Sequence, residues 1–261
     1  MIIFECFGIS DVGCARATNE DSFLIYHLDR RSSKNNILVV IADGVGGHVA
    51  GRLASEKCVS KIKDEISKKI TTQKPLLLKN AIQSAHEHLR NLIRDNPRLE
   101  GMGTTCTAVW IEKDEAYVGH VGDTRAYLVR NGNPVQITED HTLVQRFVKK
   151  GIITEEEAES HPDRNLLTQA LGVCNFLQID IFHVPLQEKD VLLLCSDGLH
   201  DLVDNSEMAS IVSMYSAEDA TKRLVDLAKK RGGYDNITAI VIKSEISPRT
   251  SECDLSATRE H

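Results

Sequence analysis

No apolar run in this 261-residue sequence approaches the ~20 residues that a membrane-crossing helix needs. Met1 to Glu5 carry neither a basic stretch nor a long apolar one, so no secretory leader is expected. The seven cysteines contain no CxxC pair and are odd in number. That pattern argues against a disulfide framework and for reduced thiols, with Cys106, Cys174 and Cys195 inside apolar runs. A basic surplus is also missing: 31 Lys and Arg stand against 38 Asp and Glu, a net charge of -7. A nucleic acid or an anionic membrane is therefore a poor candidate for the main partner. These absences lead us to expect a cytoplasmic chain, and with no oligomer interface legible, a monomer.

The length suits a single large domain with a sizeable core. Short apolar runs read as strands at Ile2 to Ile9, Ser22 to Leu28 and Leu38 to Ala42. Two one-sided helical patterns follow, one from Ala50 and one from Pro75, each able to cover a sheet face. Pro75 fits a first-turn proline. The period then falls to two over Thr104 to Ile111, Glu115 to Val121, Arg125 to Val129 and Pro134 to Ile137, with Asn131-Gly132 as a hairpin turn. Consecutive strands after a helix pair predict antiparallel sheet rather than a doubly wound fold. Residues 139–173 are polar, helix-like and rich in histidine and acids. Strands return at Leu177 to Val184, Asp190 to Cys195 and Asn236 to Ile242, with a helix over Glu218 to Lys230. The polar stretch 247–261 reads as a disordered tail, leaving residues 1–246 as one domain.

One motif recurs: an apolar strand stops at an aspartate beside glycine. It occurs at Asp43-Gly44, at Gly122-Asp123 and at Asp197-Gly198. Asp235 precedes the last strand, and Glu20-Asp21 the second. Each singly is an ordinary turn acid. Together they are costly at apolar strand ends unless paired or metal-bound. With no histidine or cysteine at zinc spacing, an oxygen-only set suits Mg²⁺ or Mn²⁺. The glycines would let backbone approach closely, so that the Gly44 carbonyl could serve as a ligand. Arg16, near Glu20-Asp21, offers a planar donor fork suited to phosphate.

Six segments, in order, resemble the metal-dependent protein phosphatases of the type 2C (PPM) family, particularly the compact bacterial kind. They are RATNED (16–21), VIADGVGGH (40–48), GMGTTCTA (101–108), GHVGDTRAYL (119–128), LLCSDGL (193–199) and GGYDNITAIVI (232–242). The resemblance implies an α+β fold in which a central antiparallel β-sandwich is flanked by helices on both sides. It implies that Asp43 bridges two Mn²⁺ or Mg²⁺ ions, with Gly44 adding its carbonyl and Asp197 and Asp235 completing one shell. Glu20 and Asp21 would act partly through bound waters. Asp123 with Asp197 matches a third metal position of bacterial relatives. Arg16 would hold the substrate phosphate.

The implied reaction is hydrolysis of phosphoserine and phosphothreonine by a metal-bridging hydroxide, in line and without a phosphoenzyme. Such an enzyme opposes protein kinases, so its partners would be phosphorylated proteins, including a Ser/Thr kinase or its substrates. Some relatives place histidine two residues after the bridging aspartate, where this chain has Val45; leaving-group protonation then falls to water or another group, and His48 is a poor substitute. Residues 139–173 correspond to the family's flap, from which His141, His161 and Arg164 could touch a phosphopeptide or could simply fold the flap. Two other classes compete. A non-catalytic phosphoprotein-binding module would predict a gap among the acids. A different two-metal hydrolase, such as a nuclease, would want a basic track.

Overall fold

The computed structural model describes residues 2–28, 35–68 and 73–246. The expected tail at 247–261 and most of the polar turn near residue 31 lie outside the described residues.

Two five-stranded antiparallel sheets pack face to face. The first runs in the order β1 (Ile2–Asp11), β12 (Ile237–Ile246), β11 (Val191–Cys195), β8 (Arg125–Arg130), β9 (Asn133–Gln136). The second runs β10 (Asp180–Pro185), β7 (Glu115–Val121), β6 (Cys106–Glu112), β3 (Asn36–Ala42), β2 (Ser22–His27). A two-stranded ribbon of β4 (Gly44–Val45) and β5 (Gly103–Thr104) sits at one end. Helices α1 (His48–Ser67) and α2 (Lys74–Asp95) cover the second sheet. Helices α6 (Asn205–Met214) and α7 (Ala217–Lys230) cover the first. Short helices α3 (Leu143–Lys149), α4 (Glu155–Glu159) and α5 (Asp197–His200) complete the set among the described residues.

The apolar alternation explains the layering. In β3, Leu38, Val40 and Ala42 pack under α1 and α2, whereas Ile37, Val39 and Ile41 fill the space between the sheets. In β11, Val191, Leu193 and Cys195 face α6 and α7, and Leu192 and Leu194 face inward. Both faces of these central strands are covered, so they read as unbroken apolar runs. The result is four layers, helix–sheet–sheet–helix, with three apolar cores. No helix among the described residues is long and apolar enough to cross a membrane.

Strand ends mostly agree with expectation, with two differences. The run from Thr104 breaks at Thr105, because Thr104 pairs with β4 while Cys106 begins pairing with β7. The strand expected from Leu177 begins only at Asp180, where β10 meets β7 at His120. Asn131 and Gly132 both adopt positive φ (54° and 79°), as the β8–β9 hairpin requires.

Candidate active site

Antiparallel pairing delivers the acids to one end of the sandwich. Asp43 follows β3, Asp123 follows β7 and Asp197 follows β11, while Glu20 and Asp21 precede β2 and Asp235 precedes β12. A cavity of about 280 Å³ opens there. Its lining includes Arg16, Glu20, Asp43, Gly44, Val45, Asp123, Asn165, Asp197 and Asp235. The structure thus brings together every acid singled out in the sequence; Asp21 alone among them does not line the cavity, but it neighbours Asp43.

Asp43, Asp21 and Glu20 are held by hydrogen bonds from neighbouring strands and loops. The Asp43 N–H donates to Thr105 Oγ1 at 2.9 Å, and the Asp43 carbonyl accepts from Thr105 N and Thr104 Oγ1, both at 2.8 Å. Asp21 Oδ2 accepts from Thr238 Oγ1 at 2.6 Å and Ser196 Oγ at 2.9 Å. The Glu20 N–H donates to Asn236 Oδ1 at 2.8 Å, and the Glu20 carbonyl accepts from Ser55 Oγ at 2.6 Å. Asn236 also donates to the carbonyls of Val12 and Thr18, both at 3.0 Å. Thr104, Thr105, Ser196, Thr238, Asn236 and Ser55 were not singled out in the sequence. All except Ser55 lie within the motifs quoted for the resemblance, so their positions could have raised them.

Glycine serves close approach here. A Cβ on Gly44 would stand 2.2 Å from the Gly51 carbonyl oxygen and 2.7 Å from that of Glu20. One on Gly198 would stand 2.1 Å from the Asn236 carbonyl oxygen.

The electrostatics are severe. Burial, then repulsion from Asp21, Asp197, Asp123 and Asp235, raises the Asp43 carboxyl well above the usual range. Burial and then Asp123 and Asp235 do the same to Asp197. Asp21 is pushed up to about 6, mainly by burial, against the bonds from Thr238 and Ser196. Asp123 is pushed up to about 7, again mainly by burial, with Asp140 adding repulsion. Asp21 Oδ1 and Asp197 Oδ1 are buried with no hydrogen-bond partner. Arg16 is the single cation of the lining among the described residues, and its Nη2 donates to Asp235 Oδ2 at 2.6 Å.

Two orphaned carboxylate oxygens, oxygen-only donors and a side-chain-free Gly44 fit hard divalent cations. The arrangement is open rather than closed: among the described residues no group of three or more His, Cys, Asp or Glu side chains is gathered closely enough to hold one ion. The acids ring the cavity instead.

The flap candidates separate. His141 is buried, 7% exposed, and lines neither this cavity nor its neighbour. His161 accepts from the Asp163 N–H at 3.1 Å and meets the Phe147 ring edge-on, also off the cavity. Arg164 lies 3.9 Å from Asp201 in an adjoining groove that shares Asp123, Asn165 and Asp197 with the cavity. The flap residues that reach the cavity are Asn165 and Leu167, which the sequence reading did not name. Val45 lines the cavity, as expected; the side chain of His48 lies outside the described residues.

Comparison with known proteins agrees with this geometry. The family model "Protein phosphatase 2C" matches residues 15–240. A Listeria welshimeri protein named serine/threonine phosphatase stp is 36% identical over 242 residues, 91% of this chain and 94% of its own. The crystal structure of the Mycobacterium tuberculosis serine/threonine phosphatase PstP/Ppp superposes with a TM-score of 0.84 at 34% identity, covering 94% of this chain and 100% of that one. A PstP catalytic domain in complex with two manganese ions gives a TM-score of 0.82 at 32% identity, with the same coverage.

Proposed function

This chain belongs to the protein phosphatase 2C family, and from that premise we propose how its acidic cavity works. The protein is an enzyme, a serine/threonine protein phosphatase that acts on phosphorylated proteins. We assign residues 1–246 to its phosphatase domain, with the flap at about 139–173.

One observation carries the site assignment. Five carboxylates and a single arginine line one cavity at the end of the sandwich. Such a lining repels a phosphate monoester unless cations offset it. We assign Asp43, Gly44, Asp197 and Asp235 to two Mn²⁺ or Mg²⁺ ions, and Asp123 with Asp197 to a third. The two manganese ions of the PstP structure support the first part of that assignment. Bound cations would supply charge compensation at the phosphoryl oxygens and a water of lowered pKa.

The chain's own residues do the rest. Thr104 and Thr105 hold the Asp43 main chain through its N–H and its carbonyl, which fixes where the carboxylate enters the cavity. Arg16 stands at the rim with a permanent charge, and its guanidinium orients the phosphate for in-line attack. The P–O bond to the seryl or threonyl oxygen breaks as the water oxygen bonds to phosphorus. No described histidine lines the cavity, so the departing oxygen takes its proton from water or another group. No described cysteine lines it either, and burial pushes the Cys195 thiol up to about 12, which keeps it a packing group. Asn165 and Leu167 bring the flap over the opening, where a protein substrate passes. Its partners are kinase substrates or a Ser/Thr kinase itself.

Release of phosphate from a phosphothreonine peptide tests this reading. Wild type should be active with Mn²⁺, silent with EDTA, and lose activity in Asp197→Asn. Activity that ignores both EDTA and the substitution would overturn it. Phosphopeptide binding without turnover would favour the binding module.

A further inference from the structure

His141 is placed unlike a flap residue that meets substrate. Its backbone N–H donates to the Gly122 carbonyl at 2.7 Å, and its Nδ1 accepts from the Gly122 N–H at 3.2 Å. Both backbone polar groups of Gly122 are therefore engaged by one residue. Because Nδ1 accepts, the ring proton sits on Nε2, which donates to Asp180 Oδ2 at 3.1 Å. The His141 carbonyl in turn accepts from Thr168 N at 2.7 Å and Thr168 Oγ1 at 3.0 Å. One residue thus joins the start of the flap, the end of the flap and the turn that carries Asp123.

The neighbours reinforce the joint. Arg125 grips Asp140 with Nε and Nη2, and His120 Nε2 donates to the Glu139 carbonyl at 3.1 Å. Gly122 has φ +108°, and a Cβ there would come within 2.6 Å of Thr105, the residue that accepts from the Asp43 N–H. The path His141–Gly122–Thr105–Asp43 is continuous through packed or hydrogen-bonded groups. At the flap's far end, Leu171 exchanges backbone hydrogen bonds of 2.8 and 3.1 Å with Thr104, whose hydroxyl donates to the Asp43 carbonyl. Both roots of the flap are therefore bonded to the peptides that present acids to the cavity.

We propose that His141 is a positioning residue of the phosphatase: by holding both polar groups of Gly122 it fixes the direction of the Asp123 carboxylate and locks the flap to that direction. The proposal rests on the phosphatase reading above. Its chemical content is the acceptor at Nδ1, and the role of Asp180 is to keep that acceptor free by taking the Nε2 proton. Supporting groups of this kind, when removed, cost about 10–100-fold in metal affinity or activity.

Four variants separate this role from simple packing. Asparagine at 141 places Oδ1 where Nδ1 stands and keeps the acceptor; glutamine places its amide near Nε2 and leaves the Gly122 N–H unpaired. Asp180→Asn keeps an acceptor for the ring proton and Asp180→Ala does not, and the Asp180 side chain is only half-buried. The readouts are kcat and KM on a phosphothreonine peptide, the melting temperature, and calorimetric titration of Mn²⁺ into the full chain. We expect H141N and D180N to stay within about threefold of wild type, while H141Q loses about tenfold or more in kcat and in the affinity of one Mn²⁺ equivalent. D180A should fall between them, with KM unchanged in all. Equal behaviour of H141N and H141Q would overturn the proposal, as would losses that follow melting temperature alone. If neither 141 variant folds, equal kcat and Mn²⁺ affinity in D180N and D180A overturn it. An inactive wild type would instead sink the phosphatase reading.

Discussion

Thr104 and Thr105 are adjacent, both fully buried, and both bonded to the Asp43 peptide, yet valine at each should have a different cost. Thr105 Oγ1 is the acceptor for the Asp43 N–H. Valine there keeps the shape and leaves a buried donor with nothing to bond, a penalty of about 1–3 kcal/mol. Thr104 Oγ1 is a donor to the Asp43 carbonyl, which also accepts from Thr105 N at 2.8 Å. Valine at 104 therefore removes a hydroxyl that also lies 3.0 Å from the Thr105 carbonyl, and leaves the Asp43 carbonyl satisfied, at about 0.5–1.5 kcal/mol. In a domain of this size each kcal/mol moves the melting temperature by about 2–4 °C. Thr105→Val should then melt about 2–12 °C below wild type, and Thr104→Val about 1–6 °C below. Catalysis should separate them further. Freeing the N–H side lets the Asp43 peptide pivot, for which we expect a loss of about 10–100-fold in kcat. The assay is a thermal melt with phosphopeptide turnover at saturating Mn²⁺. Equal melting shifts, or a more damaging substitution at 104, would refute the reasoning.

Gly44→Ala should abolish turnover and destabilise the fold by at least about 1–3 kcal/mol, since its Cβ would strike backbone oxygens of Gly51 and Glu20 that cannot rotate away; full activity in a soluble variant would show that β4 and α1 yield more than the packing suggests. His120 gives a pH prediction. It is fully buried, and burial pushes its pKa down to about 4 from 6.5. Between those values the unfolded chain binds the proton and the folded one does not, so stability is present above about 6.5 and declines as pH falls towards 4, by about 3 kcal/mol in all. Denaturant midpoints from pH 7 to 4.5 should fall less steeply in His120→Asn than in wild type, and identical slopes would refute the assignment.

The layers were legible because covered strands leave long apolar runs and covering helices leave one-sided ones, as Leu38 to Ala42 and the pattern from Pro75 show. The acids were legible because charge at the end of an apolar strand is conspicuous. Helix α6 was missed although its start is marked: Asp204 and Glu207 form a capping box at the right spacing. Its apolar face is short and interrupted by serines, so periodicity alone is weak there. The β4–β5 ribbon was illegible because two residues per strand carry no period. Which side chains of residues 139–173 reach the cavity depends on chain path. Asn165 and Leu167 do so, while His141, the more chemically suggestive residue, turns under the flap. The supporting hydroxyls of Thr105, Ser196 and Thr238 were hidden for another reason: a threonine in a strand is ordinary until its partner is known.

Strand β12 occupies an interior place in the first sheet, pairing with β1 over ten residues, from Ile2 opposite Ile246 to Asp11 opposite Ile237. On its other side it pairs with β11. During synthesis, then, β1 and β11 have no common neighbour until the last described strand leaves the ribosome. Asp235 and Asn236, which precede that strand, arrive equally late, and with them the acceptors of the Arg16 guanidinium and of the Glu20 N–H. A nascent or prematurely terminated chain can form the second sheet with its two helices, but it cannot assemble the cavity. A chain truncated before β12 is therefore expected to show no phosphatase activity, because Asp235 and the strand that carries it into the cavity are missing.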